Sequence, residues 1–208
     1  MNMSMHPNPA VITRGRKFDQ VRDGAAAIFL RDGYAGASVD DIARAARVSK
    51  ATLYSYFPEK SLMFREVLRA TSDSAFRQAP FDTDRTGPVA DALPAILTQL
   101  AQWALSAPRL ELLRSVTAEA TRFPQEAASF EAMMTDRVVA PLARMIAGWI
   151  ETGQLAAHDH GQSARQLVTL VTTQVQQPAL LTGKAPPADR IAAEAAQLFL
   201  SAHAAGRR

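Results

Sequence analysis

Side chains suited to binding a polyanion are concentrated between residues 38 and 60. Lys50, Thr52 and Tyr54 lie within one short segment, and each carries a cation or a hydroxyl group. Such groups bond readily to phosphates and to the edges of bases. They would be an unusual choice for a surface that meets only solvent.

The chain from residue 38 onward predicts a helix, a tight turn, a second short helix and the start of a third. Ser38 is a favourable N-cap, and two aspartates follow it in the first helical turn. Ser49 can cap the second helix, in which Leu53 and Phe57 are four residues apart and form the inner face. This pattern is typical of a helix-turn-helix, whose second helix lies in the DNA major groove. The alternative is an ordinary pair of short amphipathic helices.

These residues resemble the N-terminal pattern of the TetR family of bacterial transcriptional regulators, T-x-x-x-I-A-x-x-A-G-V-S-x-G-x-x-Y-x-x-F-x-x-K-x-x-L. The matching positions are Ser38, Ile42, Ala43, Ala46, Val48, Ser49, Tyr54, Phe57, Lys60 and Met63. Both glycines of the pattern are replaced, since Arg47 and Ala51 stand where it has glycine. A positive φ is uncommon for a residue other than glycine, so Arg47 is expected to be mildly strained if the turn requires one.

The resemblance implies a DNA-binding head, and the matching region supplies its candidate contacts. We expect base selectivity from Lys50, Thr52 and Tyr54. We expect phosphate contacts from Tyr56 and from Lys60, which opens a helix whose backbone N–H groups favour anions. The full predicted DNA-binding set is Ser38, Arg47, Ser49, Lys50, Ala51, Thr52, Tyr54, Ser55, Tyr56 and Lys60.

Composition places further bounds on the class of protein. There is no cysteine, which excludes disulfides and thiolate metal sites. The net charge of +3 lies entirely in residues 1–66, which hold ten basic and seven acidic residues. A basic end on a neutral body favours a polyanion partner at that end. No apolar run reaches the roughly 18 residues of a membrane span, and no secretory signal is present, so a cytoplasmic protein without cofactor or metal is expected.

The pattern along the chain is all-α, with about nine helices and no alternation typical of strands. We predict a flexible arm at residues 1–13 and a three-helix DNA-binding head at 14–60. Residues 61–208 are predicted to form a larger helical bundle, which the resemblance identifies as the part that binds ligand and dimerises. Pro108, Pro124 and Pro141 open or interrupt helices of this bundle.

Aromatic and methionine side chains are frequent in the middle helices of the bundle, where prolines also break regular packing. Wide, polarizable side chains of this kind can line an adaptable apolar pocket, although each is also a common core residue. The polar members of the set would orient a ligand, or else belong to solvated faces. The predicted ligand-binding residues are Leu100, Trp103, Glu119, Phe123, Phe130, Met134, Trp149 and Gln174.

The last two predicted helices each carry an apolar stripe. Pairs of such helices from two subunits would form a four-helix bundle, whereas the alternative is that both stripes belong to the core of one chain. The predicted dimer contacts are Leu167, Val171, Val175, Ile191, Ala195, Leu198, Phe199 and Ala202. His158 and His160 have the side chains of metal ligands, but without further ligands nearby they are interpreted as part of a surface loop.

These features predict a homodimeric repressor of a palindromic operator, released from DNA by a small and mostly apolar effector. An activator and a ligand-independent DNA-binding protein remain alternatives. A helical enzyme with a DNA-binding head is a remote one, because the sequence shows no nucleophile–base pair, metal cluster or phosphate-binding glycine loop.

Overall fold

We describe a computed structural model of the protein, covering residues 15–81 and 87–205. The predicted arm, residues 1–13, lies outside the described residues. The described part contains α1 (Arg16–Gly36), α2 (Val39–Ala45), α3 (Lys50–Tyr56), α4 (Lys60–Arg77), α5 (Val89–Ala104), α6 (Ala107–Glu119), α7 (Pro124–Met134), α8 (Ala140–Glu151), α9 (His160–Thr182) and α10 (Ala188–His203). A π-helical segment, Thr135–Val139, joins α7 to α8.

No strand longer than an isolated bridge, between Leu155 and Ala204, is present in the described ranges. The predicted all-α class is therefore confirmed. The chain divides into two compact units, residues 1–67 and 68–208. The division falls inside α4, whereas the sequence placed it after residue 60. No described helix is both long and apolar enough to span a bilayer.

In the first unit, helix α1 buries a stripe of apolar side chains at helical spacing. Gly33 has a φ of 73°, a left-handed value that interrupts the helix near its end. The buried stripe consists of Phe18, Val21, Ala25, Ile28 and Phe29. Two of its rings contact aromatic rings outside α1. The Phe29 centroid lies 5.0 Å from that of Phe64, and the Phe18 centroid lies 5.1 Å from that of Phe57.

A glycine sets the distance between α1 and α2. A Cβ atom added at Gly24 would lie 2.5 Å from the backbone nitrogen of Ala46. Side-chain atoms cannot approach backbone that closely, so only glycine permits this crossing. The end of α2 is thereby held against α1, and the turn that follows takes its position from that contact.

In the second unit, α5 forms much of the core and is packed against α9 and α10. Its apolar face is fully enclosed at Leu93, Ile96, Leu97 and Leu100. Apolar faces of α9 and α10 close over it, and α8 packs against α9. The core of the bundle is thus built on the buried apolar faces of α5, α9 and α10.

The π-helical segment explains how a long helix accommodates an internal proline. Pro141 has no N–H to donate, and its ring would clash with the carbonyl four residues earlier in a regular helix. The wider segment Thr135–Val139 precedes it, and the helix then continues as α8. The sequence predicted an interruption at this proline, and the structure shows it as a π segment.

Candidate functional site

Two serines begin the two helices of the predicted helix-turn-helix. The Ser38 hydroxyl oxygen accepts a hydrogen bond from the backbone N–H of Asp41 at 3.0 Å. The Ser49 hydroxyl oxygen accepts one from the backbone N–H of Thr52 at 3.1 Å. Each bond satisfies one of the free N–H groups at a helix start. These caps fix where α2 and α3 begin.

The turn between α2 and α3 is closed by three hydrogen bonds and contains one unusual backbone conformation. Arg47 has a φ of 52°, the one positive value at a residue other than glycine in the described ranges. The N–H of Val48 donates to the Ala43 carbonyl at 3.0 Å, and that of Arg47 to the Arg44 carbonyl at 3.1 Å. The Gln20 amide of α1 donates to the Ala46 carbonyl at 2.7 Å. The sequence did not indicate this bond from Gln20.

Helix α3 has an apolar inner face and a polar outer face. Leu53 and Phe57 are buried, as predicted, and the ring of Tyr54 is 45% exposed. No residue of the predicted DNA-binding set is buried. Its exposed members are Ser38, Arg47, Ser49, Lys50, Ala51, Tyr54 and Ser55, and its half-buried members are Thr52, Tyr56 and Lys60.

An ion pair on this surface was not predicted. The Lys50 ammonium lies 2.7 Å from a carboxylate oxygen of Asp40, which joins the start of α3 to the start of α2. The hydrogen bond to Asp40 and its charge raise the pKa of Lys50 above its usual value. Asp40 had been interpreted only as a favourable charge at a helix N-terminus.

Several polar groups on this surface have internal partners. The Thr52 and Ser49 hydroxyl oxygens are 2.9 Å apart, and the Ser55 hydroxyl donates to the Thr52 carbonyl at 2.7 Å. The Tyr56 ring lies edge-on to Phe18, with centroids 6.2 Å apart. These contacts hold the hydroxyl-bearing side chains in defined orientations on α3.

Lys60 lies at the N-terminus of α4, with its ammonium 4.8 Å from the centroid of the Tyr34 ring. A cation over an aromatic face is attracted by the ring and is held in place. Tyr34 was not in the predicted set, because it precedes the motif and carries no charge.

In the second unit, part of the predicted ligand-binding set converges on one arginine. The guanidinium carbon of Arg109 lies 4.5 Å from the centroid of Phe130 and 4.9 Å from that of Trp103. Its Nη2 lies 3.1 Å from the Met134 sulfur. Phe76 adds a third ring at 5.2 Å. The sequence did not single out Arg109 or Phe76, because an arginine in the first turn of a helix is ordinarily exposed.

Trp149, another member of that set, lies near the opposite end of α5 from Trp103. The Trp149 indole donates to the Gly87 carbonyl at 3.3 Å, just before α5 begins, while Trp103 lies near its other end. The first residue of α5, Val89, and Trp103 are about 21 Å apart along the helix axis at about 1.5 Å per residue. Glu119 pairs with Arg122 at 3.5 Å, and Gln174 is exposed. Leu100 and Phe123 are buried.

The predicted dimer stripes require a correction. Six of the eight side chains are buried within a single chain, namely Leu167, Val171, Val175, Ile191, Ala195 and Phe199. These six side chains retain at most 6% of their accessible surface, so they pack mainly within their own chain, as the alternative of an intramolecular core expects. Leu198 and Ala202 are exposed. Periodicity identifies an apolar stripe but not which neighbour covers it.

His158 is half-buried in the loop between α8 and α9. Its ring is stacked on that of His203, with centroids 3.9 Å apart, and its Nδ1 lies 2.8 Å from the Ala156 carbonyl oxygen. His160 is exposed at the start of α9. The described residues contain no group of three or more side chains that could bind a metal ion.

A capped helix-turn-helix with a basic, hydroxyl-bearing outer face defines a DNA-binding type of head on an all-α chain. Residues 21–67 match the family model described as bacterial regulatory proteins of the tetR family. Residues 91–205 match the C-terminal domain of AefR-like transcriptional repressors. The chain therefore belongs to the TetR family, whose members are regulators and not enzymes.

Individual relatives agree with this assignment. A TetR-family structure from Mesorhizobium loti MAFF303099 has a TM-score of 0.77 at 23% identity, covering 91% of this chain and 97% of that one. The flavonoid-responsive regulator FrrA has a TM-score of 0.67 at 28% identity, covering 94% and 100%. The biofilm operon icaADBC negative regulator IcaR of Staphylococcus aureus is 33% identical over 55 residues, which is 26% of this chain and 30% of that relative.

Proposed function

We propose that the protein is a homodimeric transcriptional repressor that binds a palindromic operator and is released by a small molecule. The observation that carries the proposal is the capped helix α3, which buries Leu53 and presents Lys50 and Tyr54 outward. Two comparisons support repression rather than activation. The C-terminal match is to transcriptional repressors, and IcaR is a negative regulator.

Within this proposal, the outer residues of the head have separate roles. Lys50 and Tyr54 on α3 and the half-buried Thr52 would read base edges in the major groove. Arg47 and Lys60 would contact phosphates, since one lies on the turn and the other at a helix start where backbone N–H groups also favour anions. Tyr56 would add a phosphate contact through its hydroxyl group.

A twofold dimer would supply the symmetry that a palindrome requires. Because the inner stripes of α9 and α10 are used within the chain, we propose that a second copy covers their outer faces. These faces carry the exposed apolar side chains Leu181, which is 76% exposed, and Leu198, which is 62% exposed. Ala202 lies one helical turn beyond Leu198 and is also exposed. An interface of this type is isologous, with the same patch contributed by both subunits.

Release from DNA would follow from a difference in effector affinity between two states of the dimer. A ligand that binds both states equally shifts nothing, and near-complete switching requires a preference of about 5.5 kcal/mol. The pocket would lie in the second unit, where Trp103, Phe130 and Met134 converge. The relative FrrA is flavonoid-responsive, which supports a small-molecule effector for this chain.

An activator and a ligand-independent DNA-binding protein are the competing functions. A reporter gene placed behind the operator distinguishes activation from repression by the sign of its response. A protein that binds DNA but shows no thermal shift with any small lipophilic compound would favour the ligand-independent alternative.

The experiment that tests DNA recognition uses an operator selected from random DNA by the full-length protein. Binding is followed by fluorescence anisotropy over a range of salt concentrations. Lys60→Ala should weaken all DNA sites alike and reduce the salt slope by roughly one unit. Tyr54→Ala should cost on the order of 1–3 kcal/mol on the operator and much less on random DNA. An unchanged salt slope for Lys60→Ala, or equal losses on both DNAs for Tyr54→Ala, would contradict these roles.

A further inference from the structure

Arg109 is a charged side chain enclosed almost completely by apolar groups. It is 2% exposed, although it belongs to the first turn of α6. Three aromatic rings surround its guanidinium group, those of Phe76, Trp103 and Phe130, and the fourth neighbour is the Met134 sulfur. None of these four neighbours carries a charge.

The guanidinium group has no counter-ion in the described part of the chain. Its Nε and Nη1 are buried without a hydrogen-bond partner. Burial lowers the pKa of Arg109 to about 10, and no acidic side chain opposes this effect. With that pKa the group remains protonated at neutral pH, so a positive charge is held in an apolar site without a carboxylate partner.

The aromatic rings account for only part of what a guanidinium group requires. Ring faces attract the charge, but the N–H groups point outward in the plane of the guanidinium and need acceptors. A carboxylate can bind one edge of this group in a bidentate manner, with two parallel hydrogen bonds from Nη2 and from either Nε or Nη1. Buried polar groups left without partners are rare in native structures and expensive to retain, which points to a partner that is not part of the chain.

A cavity of the second unit adjoins the ring cluster around Arg109. It has a volume of about 210 Å³ and is lined by Asp73, Phe76, Arg77, Met133 and Arg137. Phe76 belongs both to this cavity and to the ring cluster around Arg109. Arg77 and Arg137 at the cavity are exposed, whereas the Asp73 carboxylate is occupied by Arg69 at 2.8 Å. Positive charge therefore predominates around the cavity.

The size of the cavity restricts the ligand. Pockets for drug-sized ligands are typically about 300–1,000 Å³, so this one suits a compact molecule. The thioether side chains of Met133 and Met134 are flexible and can move to join the cavity to the guanidinium edge.

We propose that Arg109 binds the carboxylate of a compact aromatic acid, whose ring system occupies the adjoining cavity. The assignment rests on the proposed function insofar as this acid would be the effector. The binding site itself is defined by the second unit alone.

The first test uses isothermal titration calorimetry on the wild-type, full-length protein. The probes are 2-naphthoate and its uncharged counterpart 2-naphthamide, with decanoate as an aliphatic acid of the same charge. We expect naphthoate to bind at least about tenfold more tightly than naphthamide, since hydrogen bonds to charged groups are the strong ones, and more tightly than decanoate. Equal binding of acid and amide, tighter binding of decanoate, or binding of none of the three would overturn the proposal.

The second test assigns the binding to one side chain. Arg109→Met removes the charge and the N–H donors and leaves an unbranched apolar side chain, and it should abolish the preference for acid over amide. The matched control is Arg114→Met, on the exposed side of the same helix, which should bind naphthoate like the wild type. Arg109→Lys retains the charge but not the planar fork and should lie between the two. An Arg109→Met protein that keeps the acid preference would refute the assignment.

Separate measurements test the stability of the Arg109→Met variant and the regulatory role of the acid site. Arg109→Met should melt at a higher temperature than the wild type, because an uncompensated buried charge has been removed. Operator binding with and without naphthoate is measured on the wild type. If naphthoate binds without changing operator affinity, the acid site stands and its role as effector site fails. If the wild type does not bind DNA, the proposed function fails while the calorimetry still decides the site.

Discussion

The ammonium of Lys50 lies 2.7 Å from the carboxylate of Asp40, so the first turn of α3 is tied to the first turn of α2. Both residues are exposed on the proposed DNA-binding surface. A phosphate or a base edge that approaches Lys50 must therefore compete with a carboxylate already in place. The pair opposes binding to any DNA and holds Lys50 in one orientation.

Asp40→Asn should strengthen DNA binding several-fold, because it frees Lys50 and removes a negative charge from the surface facing phosphate. The gain should be larger on random DNA than on the operator and should shrink as salt is raised. Anisotropy titrations at two salt concentrations measure it. Asp189→Asn, an exposed aspartate on α10, is the control and should leave affinity unchanged. Equal affinities for Asp40→Asn and wild type would show that the pair does not restrain Lys50.

Arg47→Gly should stabilise the turn and weaken DNA binding. The φ of 52° is a conformation that costs a residue other than glycine about 1 kcal/mol. The comparison is with Arg47→Ala, which also removes the cation but keeps the strain. Urea denaturation should show the glycine variant to be the more stable of the two by up to about 1 kcal/mol. In both variants the salt slope of DNA binding should fall by the equivalent of one phosphate contact. A glycine variant no more stable than the alanine variant would contradict backbone strain at residue 47.

Gly24→Ala should destabilise the first unit. The added methyl group would lie 2.5 Å from the Ala46 backbone nitrogen, and overpacking of this kind typically costs about 1–3 kcal/mol. The matched control is Gly148→Ala in α8, where nothing lies within 4 Å and the better helix propensity of alanine should stabilise slightly. Thermal melts of the two variants should move in opposite directions. A Gly24→Ala protein that melts like the wild type would mean that α2 can move away without cost.

Stability should fall when pH is lowered toward 5.5. Burial, with a smaller contribution from the charge of neighbouring His158, lowers the pKa of His203. An ordinary histidine in the unfolded chain has a pKa of about 6.5. Below that value the unfolded state binds more protons than the folded state, so the free energy of unfolding decreases as pH falls.

His203→Gln should reduce this dependence, because the titrating group is removed while a polar side chain remains. The difference in melting temperature between pH 7.5 and pH 5.5 should be smaller than in the wild type. His160→Gln, at an exposed histidine, should keep the wild-type difference. If His203→Gln behaves like the wild type, acid sensitivity has another source.

Leu198→Glu should convert the proposed dimer into a folded monomer with much weaker operator binding. Leu198 is exposed in the single chain, so the charge is solvated in the monomer and buried only in the dimer. Light scattering measures the molecular mass of the protein in solution. The control is Leu62→Glu, at an exposed leucine of the first unit, which should keep the mass of the wild type. Val171→Glu is not a clean test, because that side chain is fully buried and the variant should unfold. A dimeric Leu198→Glu protein would place the interface elsewhere.

Features that depend on neighbouring residues in sequence were predictable. The caps at Ser38 and Ser49, the inner positions Leu53 and Phe57 and the positive φ of Arg47 all appear where the local pattern put them. Capping and helical periodicity act over three or four residues, so they can be recognised without knowing what packs against the segment. The family motif depends on the same local spacing.

The all-α class, the helix-turn-helix and its outward polar face therefore follow from local sequence patterns. What covers each apolar stripe does not, because Val171 or Phe199 would be equally apolar against its own chain or a partner. The same holds for Arg109. Three aromatic rings from α4, α5 and α7 meet around it, and no pattern within α6 records the arrival of groups that lie 6, 21 and 33 positions away in sequence. Desolvation of a charge depends on that meeting in space and not on the order of residues.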